Sequence, residues 1–189
     1  MFPLALLVQT AALSAAALPV KVAPVKVAPG YVAPALQPLQ AQYARTNWAA
    51  VLGTYVTFCR TTAKAEYYID CLSERLAFTA AAMDPYNPDT AALRRALQAA
   101  ARDLYAVATR YHTPTAGQAS PRAPSIATTR PLRAIAAPNR IRANAAATDV
   151  LDTTELVLLR ATTTSTAQAL AFAQVAEVIG TAKVLLRAT

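Results

Sequence analysis

Between Trp48 and Tyr111 the large apolar residues recur at three- and four-residue spacing, and one run, Asp84-Pro85-Tyr86-Asn87-Pro88, interrupts them. That period belongs to amphipathic helix, so the stretch must fold by laying helical stripes against one another. The first stripe reads Trp48, Val51, Leu52, Tyr55, Phe58 and Cys59. A second, starting near Glu66, reads Ile69, Leu72, Leu76 and Met83, with Asp70, Glu74 and Arg75 assigned to its solvent side. Asn87 suits an N-cap and Pro88 the first helical position, so a third helix starts there and presents Leu93, Leu97, Ala100, Leu104, Val107 and Tyr111. Three such helices with short connections make a small bundle over residues 42–111.

Cys59 and Cys71 are the only thiols, and both fall in this helical window. If the chain turns near Lys64-Ala65, they stand equally far from the turn and face each other across an antiparallel hairpin. A bridge there staples the hairpin, at about 3 kcal/mol in the chain-entropy account. The other reading is two buried free thiols. Their spacing is not C-x-x-C and no histidine accompanies them, so neither a metal site nor a redox motif is expected.

Bridging needs an oxidising compartment, and the amino-terminal residues agree with one. Residues 1–17 read as a signal peptide: an apolar stretch followed by an alanine-rich run with Ala15 and Ala17 at the small-residue positions before Leu18-Pro19. No Lys or Arg precedes the apolar run, so the α-amino group must supply the positive end. The stretch is short and interrupted by Gln9-Thr10, which disfavours a span, and no transmembrane helix is expected after processing. A retained anchor or a buried N-terminal segment is the alternative. Residues 18–41 form a Pro/Val/Lys-rich spacer, in which Val20-Lys21-Val22-Ala23-Pro24 is repeated at Val25 to Pro29. Proline at that interval forbids helix and favours an extended tether.

Residues 112–145 carry Pro114, Pro121, Pro124, Pro131 and Pro138 and read as a flexible basic linker. Its scattered Ile126, Leu132, Ile135 and Ile141 offer a second possibility, a segment wrapped on the surface. Helix returns in residues 146–189. Asp152 to Glu155 and Ser165 to Gln168 have capping-box spacing, and a last amphipathic helix over about 166–187 presents Phe172, Val175, Ile179, Ala182 and Leu186. These C-terminal helices need an apolar partner, either the groove of the first bundle or another subunit. Only four glycines occur, and much of the 55% hydrophobic content is alanine, which favours helix over sheet. The expected class is therefore all-α: a small helical bundle with a disulfide-stapled hairpin, a long Pro/Arg-rich linker and C-terminal amphipathic helices.

Catalytic groups are sparse. His112 is the single histidine, placed where the third helix meets the linker. Glu66, Asp70 and Glu74 share a helix face, but Arg60, Lys64 and Arg75 surround them, which reads as a solvated, salt-bridged surface. No phosphate loop, G-x-S-x-G or H-E-x-x-H occurs. No catalytic, cofactor-binding or metal-binding residue is assigned, and the chain is expected not to be an enzyme.

The formal charge is +8, and no acidic residue lies between Asp103 and Asp149. Arg122, Arg130, Arg133, Arg140 and Arg142 fall in that gap. They read as a solvated segment, or as contacts to an anionic surface such as lipid or glycan. No aromatics interleave with them to stack on bases, so nucleic acid is not an expected partner. The expectation is an exported, periplasmic or secreted, non-enzymatic helical protein acting through protein–protein contacts with an unknown partner or by self-association. The alternative is a cationic protein that binds the cell envelope through its arginine-rich linker.

Overall fold

The computed structural model describes residues 46–188, so the expected signal peptide (1–17) and spacer (18–41) lie outside the described residues. Asn47 opens the first helix, α1 (Trp48–Thr61), by accepting a hydrogen bond from the Ala50 amide at 3.0 Å. A single 3-10 turn, Ala65–Tyr67, reverses the chain into α2 (Tyr68–Ala82). The break after α2 is local chemistry. Met83 turns extended, Asp84 Oδ1 accepts from the Tyr86 amide, and Asn87 Oδ1 accepts from the Asp89 amide at 2.9 Å to start α3 (Pro88–Tyr111).

The Cys59 and Cys71 sulfurs are bonded, with Cα atoms 5.7 Å apart, and staple α1 to α2. Both residues are fully buried. Around them Leu52, Leu72, Leu76, Leu97 and Leu104 are each at most 1% exposed. Each such leucine contributes roughly 2 kcal/mol of burial.

The segment after α3 differs from the linker expected over 112–145. Residues 112–136 form a strap with two nested antiparallel pairings. The outer one joins β1 (Gln118–Ala119) to β4 (Leu132–Arg133), and the inner one joins β2 (Arg122–Ala123) to β3 (Ile126–Ala127). Leu132, Ala134 and Ile135 are buried, the Ile135 amide donates to the Glu66 carbonyl of the 3-10 turn at 2.9 Å, and the Arg133 amide donates to Asp70, so the strap lies on that turn and on α2. Its prolines exclude regular helix without preventing order, because the chain hydrogen-bonds to α2 and to itself instead.

Helix then resumes at Ala137, earlier than the expected return after 145, as α4 (Ala137–Arg160). Pro138 stands in its first turn, where a missing N–H has no intrahelical bond to lose. Asp152 to Glu155 therefore lie within a helix and are not its cap. The core face of α4 is Ala143, Ala147, Leu151, Thr154 and Leu158, whose alanines leave only a faint apolar stripe in the sequence. The last helix, α5 (Thr166–Arg187), is capped by Ser165 accepting from the Gln168 amide at 3.1 Å. Gln168 donates to the Asp89 carbonyl and so ties the start of α5 to the start of α3.

Among the described residues each helix packs on its neighbour in sequence, and α5 returns to pack on α1, closing a ring of five. The class is all-α. Among the described residues α5 is the one helix long and apolar enough to cross a membrane by length and composition, and its Phe172, Val175, Ile179, Ala182 and Leu186 are buried in the bundle. Within the ring, α2 is covered by α1, by α3 and by the strap. Every residue from Tyr67 to Leu76 is buried, the charged ones included.

Candidate functional site

Enclosure of α2 on three sides overturns the solvent-side assignment of Asp70, Glu74 and Arg75, which are 0%, 5% and 3% exposed. Carboxylates at such depth need partners that replace water. Asp70 takes a two-pronged bond from Arg130, with Nη1 2.7 Å from Oδ2 and Nη2 2.5 Å from Oδ1, and accepts from the Arg133 amide at 2.7 Å. Glu74 is gripped through both oxygens by Nε and Nη2 of Arg75. It also accepts from the Thr129 amide at 2.8 Å and the Thr129 hydroxyl at 2.7 Å.

Burial acts to raise the Glu74 pKa, but the bonds from Arg75 and Thr129 outweigh it and hold the carboxyl below its ordinary value. The bond to Asp70 holds the Arg130 guanidinium above its ordinary value. Aromatic rings complete the cluster. The Arg133 guanidinium lies 4.5 Å from the centre of the Tyr105 ring and donates to its hydroxyl at 2.7 Å, and Arg130 lies 5.1 Å from the same ring. Arg75 sits between Tyr55 and Phe78, at 5.2 and 4.9 Å, and these two rings meet edge to face.

Beside this cluster a groove of about 680 Å³ runs between α2 and α3. Its α2 wall presents Ser73, Glu74, Ala77, Phe78 and Ala81, and its α3 wall Gln98, Ala101, Arg102 and Tyr105, while Thr129 and Arg130 close one end. These positions repeat at three and four residues, so each wall is one face of its helix. The floor is open because it is alanine. Phe78 and Tyr105 stand 43% and 39% exposed on opposite walls. The volume is that of a small-ligand or side-chain pocket. Ser73, the hydroxyl nearest the cluster, is committed to the Ala101 carbonyl at 2.8 Å.

The arginines expected to form a basic patch divide. Arg130 and Arg133 turn inward to Asp70 and Tyr105, Arg122 and Arg142 are exposed, and Arg140 is half-buried on α4. Of the cations expected around the acids of α2, Arg75 pairs with Glu74, whereas Arg60 and Lys64 are exposed and the strap supplies Arg130 and Arg133 to Asp70. Glu66 is half-buried and serves through its carbonyl. His112 pairs with the strap, its Nδ1 3.1 Å from the Ala134 carbonyl. Thr129 and the groove itself have no motif in the sequence. The available signal was the match between an acidic helix face and an arginine-rich segment without acids of its own. Among the described residues no group of three His, Cys, Asp or Glu converges as metal ligands would. Comparison with protein-family models, with curated proteins and with solved structures gives no match to this chain.

Proposed function

We propose that this chain is an exported, non-enzymatic helical protein, periplasmic or secreted, that acts through protein–protein contacts centred on the α2–α3 groove. The observation that carries the reading is the pair of half-exposed aromatic rings, Phe78 and Tyr105, flanking a preformed alanine-floored groove. Aromatic anchors beside a concavity are the usual centre of a protein interface. The arginine cluster beside the groove holds its walls in place before a partner arrives, which lowers the ordering cost of binding. The Cys59–Cys71 bridge supports an oxidising compartment. Envelope fractions passed over immobilised full-length protein, and over its Ala77→Trp variant with the groove filled, provide the test. A partner retained by the first and lost by the second is expected; equal capture by both would remove the groove from the reading.

Binding to anionic lipid or glycan is the second reading. Of its five arginines, Arg122 and Arg142 remain exposed while Arg130 and Arg133 are engaged within the protein. Vesicle binding that weakens steeply with added salt would favour it.

A further inference from the structure

The charge around the groove is unbalanced, and the imbalance identifies the chemistry of what enters it. Glu74 is the one carboxylate on the groove wall, and its two oxygens already accept from Arg75 and Thr129. Asp70 is matched against both Arg130 and Arg133, so this cluster sets three guanidinium groups against two carboxylates. Arg102 adds a fourth. It is exposed on the α3 wall, one helical turn from Gln98 and from Tyr105, and has no ion pair or hydrogen bond of its own among the described residues. A groove with an apolar floor, aromatic flanks and a free guanidinium on its rim complements an apolar surface that carries an anion.

We infer that the occupant of the α2–α3 groove is a short amphipathic segment of a partner protein, with an Asp or Glu side chain that pairs with Arg102 while neighbouring apolar side chains fill the space over Ala77, Ala81 and Ala101. This rests on the reading of the groove as a protein-contact surface and names the partner's chemistry. The chain's own sequence is a poor source for such a segment. No acidic residue precedes Glu66, and the residues before it carry Lys21, Lys26, Arg45, Arg60 and Lys64. The net charge of +8 likewise opposes a second copy of the chain as the occupant.

The test is selection of a displayed library of random twelve-residue peptides on the full-length, oxidised protein, with counter-selection against Ala77→Trp. Ala81→Trp serves as a second block, since both alanines are exposed helix positions where a larger side chain fills the groove without entering the core. The expected result is a set of groove-dependent peptides enriched in Asp or Glu flanked by apolar residues. Their affinity falls at least about tenfold on Arg102→Glu, where a like charge replaces the attraction, and falls less on Arg102→Lys. Groove-dependent peptides without acidic enrichment, or indifferent to Arg102→Glu, would overturn the inference and leave the contact surface standing. A selection in which neither tryptophan variant reduces binding would remove both.

Discussion

Asp70 and Arg130 are separated by sixty residues and meet in a two-pronged ion pair that fastens the strap to the central helix. Asp70 is wholly buried, while the Arg130 side chain keeps 30% exposure, so the carboxylate is the member that depends on the pair. Asp70→Asn keeps the shape and removes the charge facing Arg130 and Arg133. We expect a loss of about 3 kcal/mol, because breaking one side of a buried pair strands the other. Denaturant midpoints of Asp70→Asn, Arg130→Met and the double variant measure it. A double variant no less stable than Arg130→Met alone is the expected sign of coupling.

Glu74 makes stability depend on acidity. Its folded pKa lies below its ordinary value, so its contribution is complete above the unfolded pKa of about 4.3 and is lost as pH falls through the folded value. Unfolding free energy should therefore decline as the solution is acidified from about pH 5. Glu74→Gln should be less stable at neutral pH and show a shallower decline over that range. A variant that follows the wild-type slope would remove Glu74 as its source.

The bridge between Cys59 and Cys71 closes a loop with a sequence separation of 12 and lies entirely inside the protein. Reduction should lower stability by about 3 kcal/mol through the freedom restored to the unfolded chain. Cys59→Ala with Cys71→Ala should reproduce most of that loss without reductant. Because both sulfurs are bonded, the oxidised protein should resist alkylation even when denatured, and both cysteines should alkylate only once it is reduced and unfolded. Mass analysis with and without reductant reads this directly.

Tyr68 gives a prediction of the opposite sign. It is 2% exposed, its hydroxyl has no hydrogen-bond partner among the described residues, and burial pushes its pKa well above the usual range. A buried hydroxyl without a partner is a standing penalty of about 1–3 kcal/mol. Tyr68→Phe removes the oxygen and keeps the ring, so the variant should unfold at equal or higher denaturant concentration. A clear destabilisation would show that the hydroxyl has a partner in solution.

The helices were legible where large side chains set the period. Leu93, Leu97 and Leu104 announce α3, Phe172 to Leu186 announce α5, and Asn87-Pro88 fixes a start within one residue. Legibility failed where alanine carries the packing, as along α4, whose buried Ala143 and Ala147 resemble its exposed alanines in sequence. It failed again at Asp70 and Glu74. Charge on an otherwise apolar helix reads as a solvent face, and only the strap, encoded sixty residues later, turns that face inward. The same proline and arginine content that suggests a loose linker supplies the ordered cover. The groove was invisible for a related reason: it is made by what α2 and α3 lack, side-chain volume at Ala77, Ala81 and Ala101.

An odd number of helices in a closed ring has a topological consequence. Trp48, at the start of α1, shares a cavity wall with Gln168 and Phe172 near the start of α5, while Asn144, near the start of α4, bonds to the carbonyl of Leu186 at the far end of α5. The first and last helices therefore run side by side in the same direction, and the ring's two chain ends lie at opposite poles. A circular permutant joining Arg187 to Trp48 must cross the full length of α5, whose 22 residues span about 33 Å. A connector of about ten extended residues is the shortest that reaches. Groups attached at Trp48 and at Arg187 would be held about a helix length apart.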